Sequence, residues 1–173
     1  MQSAQDHKTS SKTKDQVDRV AIRKIINGAH TAFMVTLSQS GVPHGRPMAT
    51  AEVGEELEVI YFAAERNSTK TKEIDTDPHV FLGYVNGSGS EWATIVGKAK
   101  VVDDRSLIKE MWSPIWKNWF EGPDDPEIVL IAVTPTTGEY WDQGNKVIAM
   151  AKLAFTAVTG VKTSDGDHGR VAL

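Results

Sequence analysis

From Val17 onward the apolar residues Val17, Val20, Ala21, Ile25 and Ala29 fall three and four positions apart. That spacing predicts an amphipathic helix, with Asp15 near its start and Gly28 near its end. The period then shortens. Ala32–Ser38 is a short apolar run, and Gln39-Ser40-Gly41 punctuates it as a hairpin turn. Pro43–Val53 reads as extended, and its two prolines predict an edge or an irregular section. Gly54-Glu55-Glu56 turns the chain into Leu57–Ala63, rich in Val, Ile, Tyr and Phe.

A short helix over 69–76 ends before Pro78, and Val80–Val85 is another strand. Gly87-Ser88-Gly89 marks a turn, and Trp92–Val102 a long strand with Gly97 inside it. Asp103-Asp104 can cap a helix from Arg105 to about Trp112. Ile128–Val133 reads as a fully buried strand and Gly138–Trp141 as a short final one. A helix over Lys146–Val158 and a polar tail containing His168 complete the pattern. The expected organisation is a flexible tail over residues 1–14, one domain over 15–160 and a second tail over 161–173. Strands in adjacent hairpin-like pairs argue against a doubly wound parallel sheet. They predict a mainly β fold, an antiparallel barrel decorated with helices. The interior of so small a barrel is filled by its own side chains, so a large ligand must sit outside, against a helix or another subunit.

Composition narrows the function classes. A length of 173 residues allows one domain with a real core. The net charge of −4 gives no support for a nucleic-acid partner or an anionic membrane surface. The absence of cysteine excludes disulfides, thiolate catalysis and Cys-ligated metals. No apolar run approaches the roughly 18 residues of a spanning helix. The polar N-terminus lacks the apolar core of a signal peptide, so a cytoplasmic location is expected.

The chemistry-bearing candidate is Ser68-Thr69-Lys70, at the predicted start of the 69–76 helix. With Arg46 on a neighbouring extended run, it offers hydroxyls, helix N–H groups and two cations to a phosphate monoester. Taken alone, such a segment is more often a Ser or Thr cap beside a solvated lysine. It lacks the glycine-rich pattern of a nucleoside-triphosphate loop. His44, two residues before Arg46, shares its strand face and can reach a ligand there, although a solvent-facing histidine is the commoner outcome. Trp112, Trp116 and Phe120 lie at helical spacing and read most simply as a core face. Five tryptophans around one small barrel also suit a dimer seam holding an aromatic cofactor. The other histidines show no paired metal spacing, and Asp124, Asp125 and Glu127 lack the spacing of a calcium loop. There is no GxSxG elbow, and the Asp103/Asp104 pair sits at a helix cap. Any hard chemistry therefore falls to a cofactor.

Several stretches together resemble the pyridoxamine 5′-phosphate oxidase-like FMN-binding split barrels. They are Gly45-Arg46-Pro47-Met48, Val59–Ala63, Ser68-x-Lys70-x-x-Glu73-Ile74 and Asp77-Pro78-His79-Val80. Gly97-Lys98-Ala99, Asp103-Asp104-Arg105, Glu110-Met111-Trp112, Trp119-Phe120-x-Gly122-Pro123-x-Asp125-Pro126 and Glu139-Tyr140-Trp141-Asp142 resemble the bacterial general stress protein branch. The resemblance covers about residues 17–160. It implies a homodimer of six-stranded antiparallel Greek-key split barrels with FMN in clefts between the subunits.

By that resemblance Arg46, Ser68, Thr69 and Lys70 hold the FMN phosphate. Pro47, Met48, Ala49, Phe62 and Ala63 line the ring and ribityl chain, and Trp141 reaches the flavin from the partner subunit. Trp112 is a further flavin or substrate contact. Trp92 stands where the oxidases proper have a polar flavin contact. Those oxidases also end in an Arg-x-His type motif, and none follows Trp141 here, so vitamin B6 oxidation is not expected. The implied activity is flavin-dependent oxidoreduction of a small molecule, with a nicotinamide or deazaflavin as a possible donor and no catalytic side chain. The alternatives are a non-catalytic flavin store or sensor and a scaffold that has lost its cofactor.

Overall fold

A computed structural model describes residues 2–86, 90–142 and 167–173, with side-chain surroundings from Lys14 onward. The chain begins with α1 (Gln2–Ala29), followed by β1 (Thr31–Leu37), β2 (Pro43–Val53) and β3 (Ile60–Glu65). Then come α2 (Thr69–Thr76), β4 (His79–Val85), β5 (Glu91–Val102) and α3 (Arg105–Glu110). A 3-10 helix (Pro114–Asn118), β6 (Ile128–Asp142) and β7 (Asp167–Ala172) complete it. The turn expected at Gly87-Ser88-Gly89 and the helix expected over Lys146–Val158 lie outside the described residues. No helix among the described residues is long and apolar enough to cross a membrane.

The strands form one antiparallel sheet in the order β3-β2-β1-β4-β5-β6-β7, and β3 also pairs with β6. That second pairing closes six strands into the expected antiparallel Greek-key split barrel, with β7 added on the far edge of β6. The β3-to-β4 connection crosses the barrel through α2, which packs against β1 and β5. Strand alternation explains the interior. Ala32, Met34, Phe62, Leu82, Tyr84 and Ile95 point inward and are fully or almost fully buried. A second apolar cluster lies outside the barrel, where Ile108, Trp116 and Phe120 cover Ile128 and Leu130.

Four expectations change. The polar stretch expected as a flexible tail is helical from Gln2 onward and forms the first half of α1. It contains no proline or glycine, so a helix anchored by its packed second half can propagate back through it. The packed face of that half is also rotated. Ile22, Ile25 and Ile26 are buried with Asp18, while Val17 and Val20 are 59% and 61% exposed. The runs 128–133 and 138–141 are one strand, because Pro135 sits opposite Gly97 at a register shift rather than in a turn. Finally, residues 167–172 of the expected second tail form β7. Gly169 and Val171 face inward there, and a Cβ at Gly169 would lie 2.4 Å from the Tyr140 ring.

Gly97 marks the bulge that lets β6 remain continuous. A Cβ there would stand 2.6 Å from the Thr134 carbonyl oxygen, a backbone atom that cannot move aside cheaply. Gly97→Ala is therefore expected to cost about 1–3 kcal/mol of stability in denaturant unfolding. At Gly83 the nearest atom to an added Cβ is a Phe81 side-chain carbon at 3.4 Å, so Gly83→Ala should cost clearly less.

Candidate functional site

The barrel is split at one place. β2 pairs with β1 from Pro43 to Ala49, but its pairing with β3 begins only at Thr50. On its side, β3 pairs with β6 over Ala63–Glu65 and has no β2 partner there. Proline has no N–H to give a ladder, and Pro43 and Pro47 fall in the half of β2 that is paired on one side alone. The open edges enclose a cleft of about 320 Å³ lined by Arg46, Pro47, Met48, Ala49, Ala63, Ala64, Glu65 and Lys70. Trp116, Trp119 and Phe120 complete its lining.

Helix α2 starts beside this cleft. Ser68 occupies the N-cap position, but its hydroxyl makes no cap hydrogen bond. It pairs instead with Thr71 Oγ1 at 3.2 Å, and the single Thr71 hydroxyl proton is shared between the carbonyls of Arg66 and Ser68, each 2.8 Å away. The first-turn N–H groups of α2 thus remain uncapped, a positive end with donors to spare. Lys70, in that first turn, makes no hydrogen bond or ion pair with the described residues. Burial foremost, with the nearby Arg46 charge, holds its ammonium below the usual lysine range against an opposing pull from Glu65. Two cations and an uncapped helix start thus lie together beside the cleft.

Arg46 is held from behind. Its Nη2 donates to Glu73 Oε2 at 3.1 Å and its Nη1 to Thr36 Oγ1. Thr36 donates to Glu73 Oε2 at 2.5 Å, and His44 Nδ1 lies 2.5 Å from Glu73 Oε1. His44 and Arg46 do share a strand face, and that face turns toward α2. Burial alone would raise the Glu73 pKa, but the hydrogen bonds from Thr36, His44 and Arg46 and the Arg46 charge outweigh it. Its carboxyl therefore titrates below the usual range. A second, polar cleft of about 510 Å³ lies on the His44 side, lined by Ser38, Gln39, Ser40, Thr69, Lys72 and Glu73 as well.

Of the residues singled out by sequence, Arg46, Pro47, Met48, Ala49, Ala63 and Lys70 meet in one cleft, with Ser68 at the adjacent helix start. Thr69 lines the polar cleft instead. Phe62 does not line the site, because strand alternation turns its ring into the barrel core. Trp112 packs edge-to-face on Trp116, with ring centroids 5.7 Å apart, and is not in the cleft. Trp92 and Trp141 are cross-strand partners outside the cleft of their own subunit, and Trp141 stacks on His168. Sequence reasoning missed Trp116, Trp119 and Phe120 as cleft residues. Their helical spacing signalled a buried face, and Trp116 and Phe120 are indeed buried, but it carried no sign of which strands they cover.

Next to the cleft lies an apolar outer surface on the barrel. Phe33 is 54% exposed and pairs with Pro47 across β1 and β2. Phe81 and Val96, 40% and 45% exposed, are paired with one another on β4 and β5. This face runs directly into the open edge of β2.

The site is thus an opening in an antiparallel barrel beside an uncapped helix start, lined by two cations and three aromatic side chains. The chain belongs to the pyridoxamine 5′-phosphate oxidase-like family, whose model matches residues 15–165. It is 31% identical over 120 residues to General stress protein 26 of Bacillus subtilis, covering 68% of this chain and 84% of that one. A crystal structure of General stress protein 26 from Bacillus anthracis is 29% identical, covers 70% of this chain and 92% of that one, and superposes with a TM-score of 0.63. The fold is also shared with a general stress FMN/FAD binding protein from Xanthomonas citri, at 18% identity. That likeness covers 75% of this chain and 92% of the other, with a TM-score of 0.65.

Because the folded-state pKa of Glu73 is depressed, its contribution to stability is present above the ordinary glutamate range. It is lost as pH falls through the lower folded value. Glu73→Gln should therefore flatten the acid limb of the stability curve, measured by denaturant unfolding between about pH 3 and pH 6. An unchanged slope would show that the carboxylate is not coupled to folding.

Proposed function

We propose that this protein binds FMN in the split of the barrel and acts as a flavin-dependent oxidoreductase on a small molecule. The observation that carries the proposal is the pair of unlike ends in one cleft. Arg46, Lys70 and the uncapped start of α2 suit a phosphate monoester, and Trp116, Trp119 and Phe120 suit a flat conjugated ring. The unpaired edges of β2 and β3 leave backbone N–H and C=O groups free for the polar rim of such a ring. The structural neighbour from Xanthomonas citri is named for FMN/FAD binding, in keeping with this.

In this scheme Arg46 and Lys70 hold the phosphate and Ser68 supplies a further hydroxyl. The strand edges orient the ring, and the aromatic wall excludes water from one side. A bound flavin supplies the hydride or electron chemistry. Nothing is asked of a side chain as acid or base, and a nicotinamide or deazaflavin donor fits a cleft with no dedicated reductant of its own. A role in stress physiology accords with the General stress protein 26 relatives.

The apolar face of Phe33, Phe81 and Val96 fits a second copy of the chain, since it adjoins the open edge at Pro47. A homodimer closing on that face would cover the cleft, and Trp141 of each copy would be a candidate to complete the partner's site.

Titrating FMN into the purified protein should perturb the visible flavin bands with affinity near micromolar. Arg46→Ala and Lys70→Ala should each weaken FMN about ten- to hundredfold while leaving riboflavin nearly unchanged, because charge-assisted bonds to phosphate are lost. Equal loss for both ligands would remove the phosphate assignment. Rapid mixing of the complex with NADH, NADPH or a reduced deazaflavin then reads the oxidoreductase role, and inertness toward all three would favour a flavin store.

Sedimentation should give twice the chain mass. Phe81→Glu, outside the cleft, should yield monomers with weaker FMN binding. A monomeric wild type, or a Phe81→Glu variant that remains dimeric, would overturn the assigned face.

A further inference from the structure

We propose that Glu73, acting with Thr36, is the positioning residue that makes this cleft select a phosphorylated flavin over its dephosphorylated form. The proposal rests on the flavin reading above. Glu73 does not line the cleft itself and acts through Arg46.

The arrangement draws on three elements: Thr36 from β1, His44 and Arg46 from β2, and Glu73 from α2. A guanidinium has five N–H donors in a fixed plane. One on Nη1 goes to Thr36 and one on Nη2 to Glu73 at 3.1 Å. Thr36 is fully buried, and its hydroxyl both accepts from Arg46 and donates to the same carboxylate oxygen at 2.5 Å. The other oxygen of Glu73 is taken by His44 at 2.5 Å, so the carboxylate cannot turn without breaking a bond on each side. Glu73 is only 6% exposed, where an unpaired charge would be costly.

This clamp has two consequences. The remaining donors of Arg46 are aimed before a ligand arrives, so binding does not first have to order a long flexible side chain. The clamp also cancels the charge of Arg46 while leaving its free donors in place. Arg46 then reads phosphate by direction, and Lys70, opposed by Glu65, provides the attraction. Riboflavin, lacking the phosphate, gains nothing from either effect.

The test combines a structural readout with a binding cycle. In the flavin-free protein, side-chain ¹⁵N NMR should show hindered rotation and slow exchange at the Arg46 Nη groups, and Glu73→Gln should abolish both. Glu73→Gln should weaken FMN about tenfold or more and riboflavin by less than about twofold. In an Arg46→Ala background Glu73→Gln should leave the FMN-to-riboflavin ratio unchanged. Thr36→Val should reproduce the loss and Thr36→Ser should largely restore it; this pair carries the test if Glu73→Gln does not fold. Equal weakening of both flavins, an undiminished effect of Glu73→Gln without Arg46, or freely rotating Nη groups in the wild type would each overturn the proposal. A wild type with hindered Arg46 that binds no flavin would instead sink the flavin reading and the selectivity with it, while leaving the clamp on Arg46 standing.

Discussion

The structure depends on an interruption in one hydrogen-bond ladder. β2 is a full partner of β1 along its first half and of β3 only from Thr50 onward. Had the β2–β3 ladder continued, the barrel would have closed along its length and Pro47 to Ala49 would have faced a neighbouring strand. The prolines of β2 make that continuation unfavourable, and the register shift between Thr50 and Glu52 turns the strand away. The barrel loses little by this, because β3 finds β6 as a second partner. An opening in a sheet that is otherwise paired all round is a rigid place to hold a ligand by its backbone edges.

Electrostatics then give the opening a polarity. Burial and the nearby Arg46 charge hold the Lys70 ammonium below its usual range, an arrangement that a fold retains only with compensation. Part of the compensation is the buried Glu73, which satisfies Arg46 from behind. The remainder is left unsupplied by the described residues, at the spot where α2 presents uncapped N–H groups. The aromatic lining comes from Trp116 on the 3-10 segment and from Trp119 and Phe120 just after it, held in place because Trp116 and Phe120 are themselves buried against Ile128 and Leu130.

The position of the cleft also bears on assembly. Its mouth lies beside Phe33, Phe81 and Val96, large apolar side chains that a lone barrel leaves in water. The cleft and this exposed apolar face are thus one continuous region of the barrel surface. Val17 and Val20 on α1 are exposed in the same way, while the polar Asp18 is buried and accepts from Tyr140 at 3.3 Å.

Much of the local structure was legible in the sequence. The strand Pro43–Val53 and the helix Thr69–Thr76 appear with the expected limits, since prolines, turns and short-range periodicity mark their ends. Arg46 and Lys70 were singled out together by residue type, by place and by the family resemblance, and the fold brings both to one cleft. The sequence by itself therefore determined the order of elements, the antiparallel class and the cationic end of the site. Those properties arise from neighbours within a few positions along the chain. Only the tertiary structure decided the rest. It joined two strand segments into β6 across Pro135, added β7, rotated the packed face of α1, turned Phe62 inward, brought Trp119 to the cleft wall and set Glu73 behind Arg46. Each of these depends on which distant strand lies alongside, through the β3–β6 and β1–β4 pairings. Pairings at such separations are set by packing of the whole core, which no local spacing encodes.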